Sequence, residues 1–377
     1  MSLIIARVDL VQLNIGVLGA TGYIGSPYRK EIRACKRAKL VALCARRRDL
    51  LEIAGTEDNA RFLTDNWREV VNHPDVNLVL VATPDALHHE AVLACATAGK
   101  HIICEKPVAT SSIQAKEMLE AYRARPDLAH FVPFWVRYSN GMTKAKEVVD
   151  AGTLGEIRGV VYRWHNPRPE GMPFTWRDNP SLSSAGSIAD VGSHAYDTVR
   201  WILQEDATRV LTHAETISHR SNAGEVNLTE ALAQASTKAP KSEIDNENRT
   251  VDYANIAWEF ASGVVGTLVL SHAPYFRKGL VPELELHGTQ ASLTVDRISG
   301  HVTLLKTGGT PEVIATLPDL DQSNRFEGYV FPAIRRMLTD PHLIDHPNLL
   351  DGWHVQRFTD AAAASASSGR WANLEDF

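Results

Sequence analysis

The sequence predicts an α/β protein in two parts: a parallel sheet covered by helices on both faces, then an α+β part with a large, mostly antiparallel open sheet. Three observations predict this. Over the first third, short continuous apolar runs alternate with helical patterns, as expected of strands buried on both faces. Beyond about residue 135, apolar and polar residues alternate with period two, which describes a sheet with one wet face. The length, 377 residues, exceeds one ordinary domain of ~150 residues and suits two. The sequence places the boundary between 134 and 135, giving parts 1–134 and 135–377.

The first part is read from its apolar runs. Leu13 to Leu18, Leu40 to Cys44, Val76 to Ala82, His101 to Cys104 and His130 to Phe134 are strand-sized. Between them, Thr64-Asp65 stands as the N-cap of a helix beginning near Trp67, and Asp85 as the N-cap of a helix over Ala86 to Ala98. Gly99 then fits a C′ stop. In the second part the candidate strands are Ile157 to Trp164, Ile256 to Phe260, Val264 to Ser271, Leu284 to Leu286, Ser292 to Asp296, His301 to Leu305 and Glu312 to Leu317. Residues 219–250 are polar and read as a surface insertion with a short helix.

Composition removes several function classes. The net charge of −6 argues against nucleic acid, which demands clustered cations. No apolar run approaches ~18 residues, so no membrane span is expected. Arg7 and Asp9 interrupt the apolar N-terminal stretch, unlike a secretory signal. Cys35, Cys44, Cys95 and Cys104 show no C-x-x-C spacing and read as reduced core thiols of a cytoplasmic protein.

Gly19-Ala20-Thr21-Gly22-Tyr23-Ile24-Gly25 directly follows the first strand. Glycines at that junction let the chain turn sharply, approach a pyrophosphate and pack a helix on the sheet; the helix N-terminus then offers N–H groups to the phosphates. The first domain is therefore a Rossmann dinucleotide-binding domain, with Gly19, Thr21, Gly22, Tyr23 and Ile24 at the cofactor. The spacing is one residue longer than G-x-G-x-x-G, and Pro27 should disturb the first turns of the helix. At the end of the second strand, where an NAD site places Asp or Glu on the ribose, stands Ala45-Arg46-Arg47-Arg48. Arg46 and Arg47 suit a 2′-phosphate, so NADP is the expected cofactor and NAD the second choice.

Further motifs follow in order. They are Ala82-Thr83-Pro84-Asp85-Ala86-Leu87-His88, Ala98-Gly99-Lys100-His101, Glu105-Lys106-Pro107, Gly152-Thr153-Leu154-Gly155-Glu156-Ile157 and Asp190-Val191-Gly192-Ser193-His194-Ala195-Tyr196-Asp197. With Gly288-Thr289 and Asp351-Gly352, they give the chain a resemblance to the Gfo/Idh/MocA oxidoreductases over nearly its whole length. Trp135-Val136-Arg137-Tyr138 departs from the N-x-R-F of many members, and Asp85 replaces an Asn.

Moving a hydride off an alcohol carbon requires a base for the hydroxyl proton and a donor or cation for the developing alkoxide. Lys106 ends a buried strand at the carboxyl edge of the sheet, where open α/β folds bind ligands. Glu105 pairs with a neighbour or orients Lys106. Asp190 and His194, four apart, share a face if helical, which suits an acid/base pair; a metal is not expected, since no second His or Cys stands at ligand spacing. Asp197 reads as an anchor for its helix.

The resemblance implies that Lys106, Asp190 and His194 are catalytic, with His194 transferring the proton and Asp190 binding substrate and tuning it. It adds Thr83, Pro84, His88, Glu105 and Lys106 to the cofactor site, and Arg137, Trp176 and Arg177 to the substrate site. The implied activity is hydride transfer between NAD(P) and a hydroxyl carbon of a sugar, polyol or sugar derivative. Two alternatives stand beside it. One uses tightly bound nicotinamide for a net non-redox or aldose–aldose reaction; the other is a non-catalytic NADP-binding regulator. A broad sheet face needs a cover, so a homodimer or homotetramer is expected.

Overall fold

The computed structural model describes residues 12–221, 226–235, 249–320, 323–340 and 345–377. The chain packs into two compact units, Met1–Pro133 with Gln322–Trp353, and Phe134–Asp321 with His354–Phe377.

In the first unit, β1 (Leu13–Leu18), β2 (Ala38–Cys44), β3 (Phe62–Thr64), β4 (Leu78–Val81), β5 (His101–Cys104) and β6 (His130–Phe131) form one sheet in the order β3-β2-β1-β4-β5-β6. Every pairing is parallel. Ile15, Val17, Leu78, Val79, Leu80, Ile102 and Ile103 are fully buried, which is why these runs carry no polar alternation. The order reverses between β1 and β4, so the turns leaving these neighbours open the crevice that such sheets use for ligands.

Local details differ from the sequence reading. The helix Trp67–Val71 is capped by Asn66, whose side chain accepts the Arg68 N–H at 3.1 Å. Thr64, expected as cap, instead donates to Glu69 at 2.7 Å. Asp85 opens a 3₁₀ turn, Asp85–Leu87, and the helix proper is His88–Thr97 with no side-chain cap. Gly99 does end that helix, at φ +70°. Pro27 does not disturb its helix: it lies in the first turn of Gly25–Ala34, where an N–H has no intrahelical partner to lose.

The second unit holds β7 (Ile157–His165), β8 (Met172–Pro173), β9 (Ala207–Glu215), β10 (Arg220–Ser221), β11 (Tyr253–Phe260), β12 (Val265–Ser271), β13 (Leu284–Gly288), β14 (Ala291–Asp296), β15 (His301–Lys306), β16 (Glu312–Thr316) and β17 (Ala372–Asn373). Nine of them form one sheet, ordered β16-β15-β14-β13-β7-β12-β11-β9-β17. The β7–β12 pair is parallel and the rest antiparallel. Along β14 buried and half-buried residues alternate strictly, as period two requires. Tyr196, on the helix Ser193–Leu203, stacks on Phe358 at 4.1 Å and 5° beside Trp258, fixing that helix in the core.

Part of the 219–250 stretch is built into this unit. β10 pairs with β8, and the helix Leu228–Ala235 buries Leu228 and Ala231 against Met172. Residues 222–225 and 236–248 lie outside the described residues.

The units do not follow a single cut at 134. Gln322–Trp353 packs with the first unit because Arg325 forks onto the Glu31 carboxylate at 2.9 and 2.6 Å, Asn324 donates to the Glu31 carbonyl, and the Val132 N–H donates to Pro347 at 3.1 Å.

Candidate active site

In the first unit the glycine turn sits against the end of β4. Gly19 adopts φ +81°, and a Cβ there would meet the Ala82 carbonyl oxygen at 2.3 Å; one on Gly25 would meet the Gly19 carbonyl oxygen at 2.2 Å. Only glycine allows this closeness. Arg29, paired with buried Asp58, braces the turn from inside by donating to the Ala20 carbonyl at 3.0 Å. The helix Gly25–Ala34 begins with no side-chain cap and no acid in its first turn, which leaves its N-terminal face suited to an anion. Thr21 and Ile24 are half-buried and Tyr23 is exposed around it.

Thr83, on the turn leaving β4, has a buried hydroxyl with no hydrogen-bond partner among the described residues. An orphaned hydroxyl beside a glycine cradle fits a dinucleotide, which would supply the missing polar partner. Gly19, Thr21, Gly22, Tyr23, Ile24, Thr83 and Pro84 are the residues that would hold it. Arg46 is exposed just past the end of β2. Arg47 donates to Asp49 at 3.1 Å and Arg48 to Glu52 at 3.0 Å, so both bring local carboxylates to this rim.

Lys106 is half-buried at the carboxyl end of β5, followed by a cis bond to Pro107. Glu105, expected at the cofactor, turns inward. Its carboxylate is buried, accepts the Tyr28 hydroxyl at 3.0 Å and accepts the Lys106 N–H at 3.3 Å. Burial pushes the Glu105 carboxyl above its ordinary value, opposed by Lys106. His88, also expected at the cofactor, is fully buried, with Nδ1 3.0 Å from the Pro107 carbonyl and Nε2 2.9 Å from the Thr83 carbonyl. Both of its ring nitrogens face backbone carbonyls.

In the second unit Asp190 lies on a π turn, Ile188–Gly192, and His194 in the first turn of the following helix. The shared α-helical face expected from their spacing is therefore replaced by a π-to-α junction. Arg168 donates to the Asp190 carboxylate at 2.8 Å; His272 Nε2 lies 3.4 Å and Arg177 Nε 3.9 Å from the same oxygen. Burial draws the Arg168 guanidinium down to about 10, opposed by Asp190. Burial, then Arg168, push His272 well below its ordinary range, so the ring is neutral at neutral pH. Asp190 is thus fixed by several groups while remaining 20% exposed, and can still accept a hydrogen bond from a ligand. The His194 ring stacks on Trp164 at 5.5 Å and 20° and meets the edge of Phe134 at 6.1 Å and 85°.

Of the other expected substrate residues, Arg177 is brought to Asp190. Trp176 is half-buried and has one face covered by the Arg177 guanidinium at 4.4 Å. Arg137 is buried and forks onto Asp197 at 2.7 and 2.5 Å, a commitment that makes it a strut of the fold. The sequence reading missed Arg168, His272, Trp164, Phe134 and Tyr28. Arg168 stands between Pro167 and Pro169, a local signal of a constrained loop; the others carry none.

A parallel sheet with a glycine turn at its switch point, followed by a separate unit carrying a fixed carboxylate and a histidine, is the construction of a nicotinamide-dependent oxidoreductase. Comparison with known proteins agrees. Residues 13–131 match the oxidoreductase family described as having an NAD-binding Rossmann fold, and residues 142–294 match the GFO/IDH/MocA C-terminal domain. The chain belongs to the Gfo/Idh/MocA oxidoreductase family.

It is 29% identical over 305 residues to levoglucosan dehydrogenase of Pseudarthrobacter phenanthrenivorans, covering 74% of this chain and 73% of that protein. It is 25% identical over 286 residues to myo-inositol 2-dehydrogenase of Thermotoga maritima, covering 76% of each. A levoglucosan dehydrogenase structure in complex with NADH and levoglucosan shares the fold, with a TM-score of 0.78 at 22% identity over 96% of this chain and 99% of that one. Among the described residues no helix is long and apolar enough to cross a membrane.

Proposed function

We propose that the protein oxidises or reduces a CH–OH carbon of a sugar, polyol or sugar derivative, with NADP preferred over NAD. The observation that carries the reading is the Asp190 carboxylate, held by Arg168 near His272 and Arg177 yet still open, with His194 four residues on. Carboxylate acceptors and guanidinium donors together suit a molecule bearing several hydroxyls. The names of the levoglucosan and inositol dehydrogenase relatives support the same substrate class.

The bound nicotinamide supplies the hydride acceptor or donor. Asp190 accepts a substrate hydroxyl and fixes its orientation. His194 takes the proton of the reacting hydroxyl in oxidation and returns it in reduction. The Lys106 ammonium stabilises negative charge on the reacting oxygen. Arg46 binds the 2′-phosphate, and an NADP-dependent scyllo-inositol dehydrogenase of Bacillus subtilis, 26% identical over 244 residues, lends support to that choice.

Val265, Leu305 and Val313 are exposed apolar residues on the large sheet, which supports association of copies of the chain through that face. Light scattering reading a monomer at micromolar concentration would overturn that part.

The test of the activity is a spectrophotometric screen of sugars and polyols with NADP and NAD, with single-turnover controls lacking added cofactor. Cofactor-dependent absorbance change with a polyhydroxylated substrate is expected. Product formed without added cofactor would favour a cycle on retained nicotinamide. Tight cofactor binding with no turnover across the panel would favour a sensor.

A further inference from the structure

We propose that His88 is a positioning residue for Lys106: its buried imidazole ties the Thr83–Pro84 turn after β4 to the Lys106–Pro107 turn after β5. The two strands are neighbours, and their ladder runs out at Val81 opposite Cys104, with one more bond from the Glu105 N–H to Val81 at 3.0 Å. Beyond that point no strand pairing joins the two turns. Pro107 has no N–H, so its carbonyl is the one backbone group by which that residue can be held. That carbonyl lies 3.0 Å from His88 Nδ1, and the Thr83 carbonyl lies 2.9 Å from Nε2. The imidazole therefore stands where the next rung of the sheet would be.

Carbonyl oxygens only accept, so each proton on the ring bonds one of them. Burial favours the ring with one proton, while the Thr83 and Pro107 carbonyls, and after them Glu105, favour the second. With two protons the ring bonds both carbonyls; with one it bonds a single carbonyl and wedges its other edge against the second turn. Neither nitrogen is left for a ligand, so the effect of His88 on the reaction passes through the residues it holds. Lys106 is the group whose placement then matters, and the inference rests on the catalytic role given to Lys106 above.

The test is a double-mutant cycle on kcat. Lys106→Met alone is expected to lower kcat by at least ~100-fold. His88→Phe, which keeps a ring and removes both nitrogens, is expected to lower kcat by roughly 10- to 100-fold, the scale of a misplacement of about 1 Å. In the Lys106→Met background the same change should cost less than about twofold, because the group it positions is gone. His88→Gln, which keeps an amide donor and acceptor, should recover part of the loss and serves in the same cycle if the Phe variant does not fold.

Wild-type kcat in both His88 variants overturns the proposal. So do losses that multiply in the double mutant, the mark of a merely structural effect. Wild-type kcat in Lys106→Met removes the catalytic role of Lys106 and the proposal with it, an outcome told apart by that single variant.

Discussion

Tyr28 donates its phenolic hydroxyl to the Glu105 carboxylate at 3.0 Å, with both groups buried. The bond joins the helix after the glycine turn to the strand end that carries Lys106. The Arg325 guanidinium lies over the Tyr28 ring, 5.7 Å from its centroid. The helix that follows the glycine turn and the end of β5 are thus braced by one buried hydrogen-bonded pair.

Tyr28→Phe removes a donor from a buried carboxylate. The expected cost is about 1.5–3 kcal/mol, the range for a hydrogen bond to a charged group, read from urea unfolding at neutral pH. The pH dependence has a definite sign. The folded carboxyl of Glu105 titrates above its unfolded counterpart, so between the two values the folded state holds more protons, and stability falls as pH rises through that window. The Tyr28 bond lowers the folded value, so the variant should show the larger decline. An unfolding free energy equal to wild type across that range would mean that the pair carries no stability.

Acid should destabilise the first unit through two histidines. The His130 Nδ1 accepts the Leu349 N–H at 3.3 Å and the His101 Nδ1 accepts the Ala129 N–H at 3.1 Å, so each bond needs an unprotonated nitrogen. Burial brings His130 down to about 3 and His101 to about 4. The unfolded residues titrate near ~6.5 and bind protons first, so stability present above that pH is lost as pH falls toward the folded values. Thermal melts between pH 7 and 4 should show a falling Tm, and the double variant His101→Asn/His130→Asn a flatter profile. Equal slopes would remove these histidines as the cause.

His194→Ala should lower kcat by roughly 100- to 10,000-fold, the loss of a general base, with cofactor affinity unchanged. Trp164→Leu removes the ring on which His194 stacks, together with that ring's contacts to Tyr162 and Arg297. An aromatic pair is worth about 0.5–1.5 kcal/mol, so kcat should fall by about two- to tenfold. Rapid-mixing kinetics would show whether both losses fall on the hydride step. Turnover near wild type in His194→Ala would leave that residue a core histidine.

The wild type should bind NADP about 10- to 100-fold more tightly than NAD, the effect of one charge-assisted Arg contact at ~1.4 kcal/mol per decade. Ala45→Asp with Arg46→Ser should reverse the order, since Ala45 stands just past the end of β2. Equilibrium titration at physiological salt decides it: equal affinities in the wild type would mean that Arg46 serves only as surface charge.

Much of the first unit was legible because its signals are local. The apolar runs at Leu13–Leu18 and His101–Cys104 coincide with β1 and β5, and the helix stop at Gly99 follows from backbone freedom at one residue. β9 was missed because Ala207–Glu215 has too few apolar residues in register to stand out, and it is held in place by pairing with β11. The surroundings of Asp190 were illegible for a different reason. Arg168 and His272 lie 22 and 82 residues from it in sequence, and only the pairing of β7 with β12, just beyond whose ends they stand, brings them to one oxygen. Likewise the spacing of Asp190 and His194 suggested one helical face, while the π turn between them is set by packing that no local pattern announces.

The return of Gln322–Trp353 to the first unit bears on the order in which the protein is made. The stretch that clasps Glu31 leaves the ribosome almost three hundred residues after it. A nascent chain halted at residue 134 would hold the six strands of the parallel sheet and lack the arginine that closes on its first helix. Fragments split at that point should therefore recover a stable nucleotide-binding half only when the late segment is supplied as well, grafted through a short linker or added as a peptide.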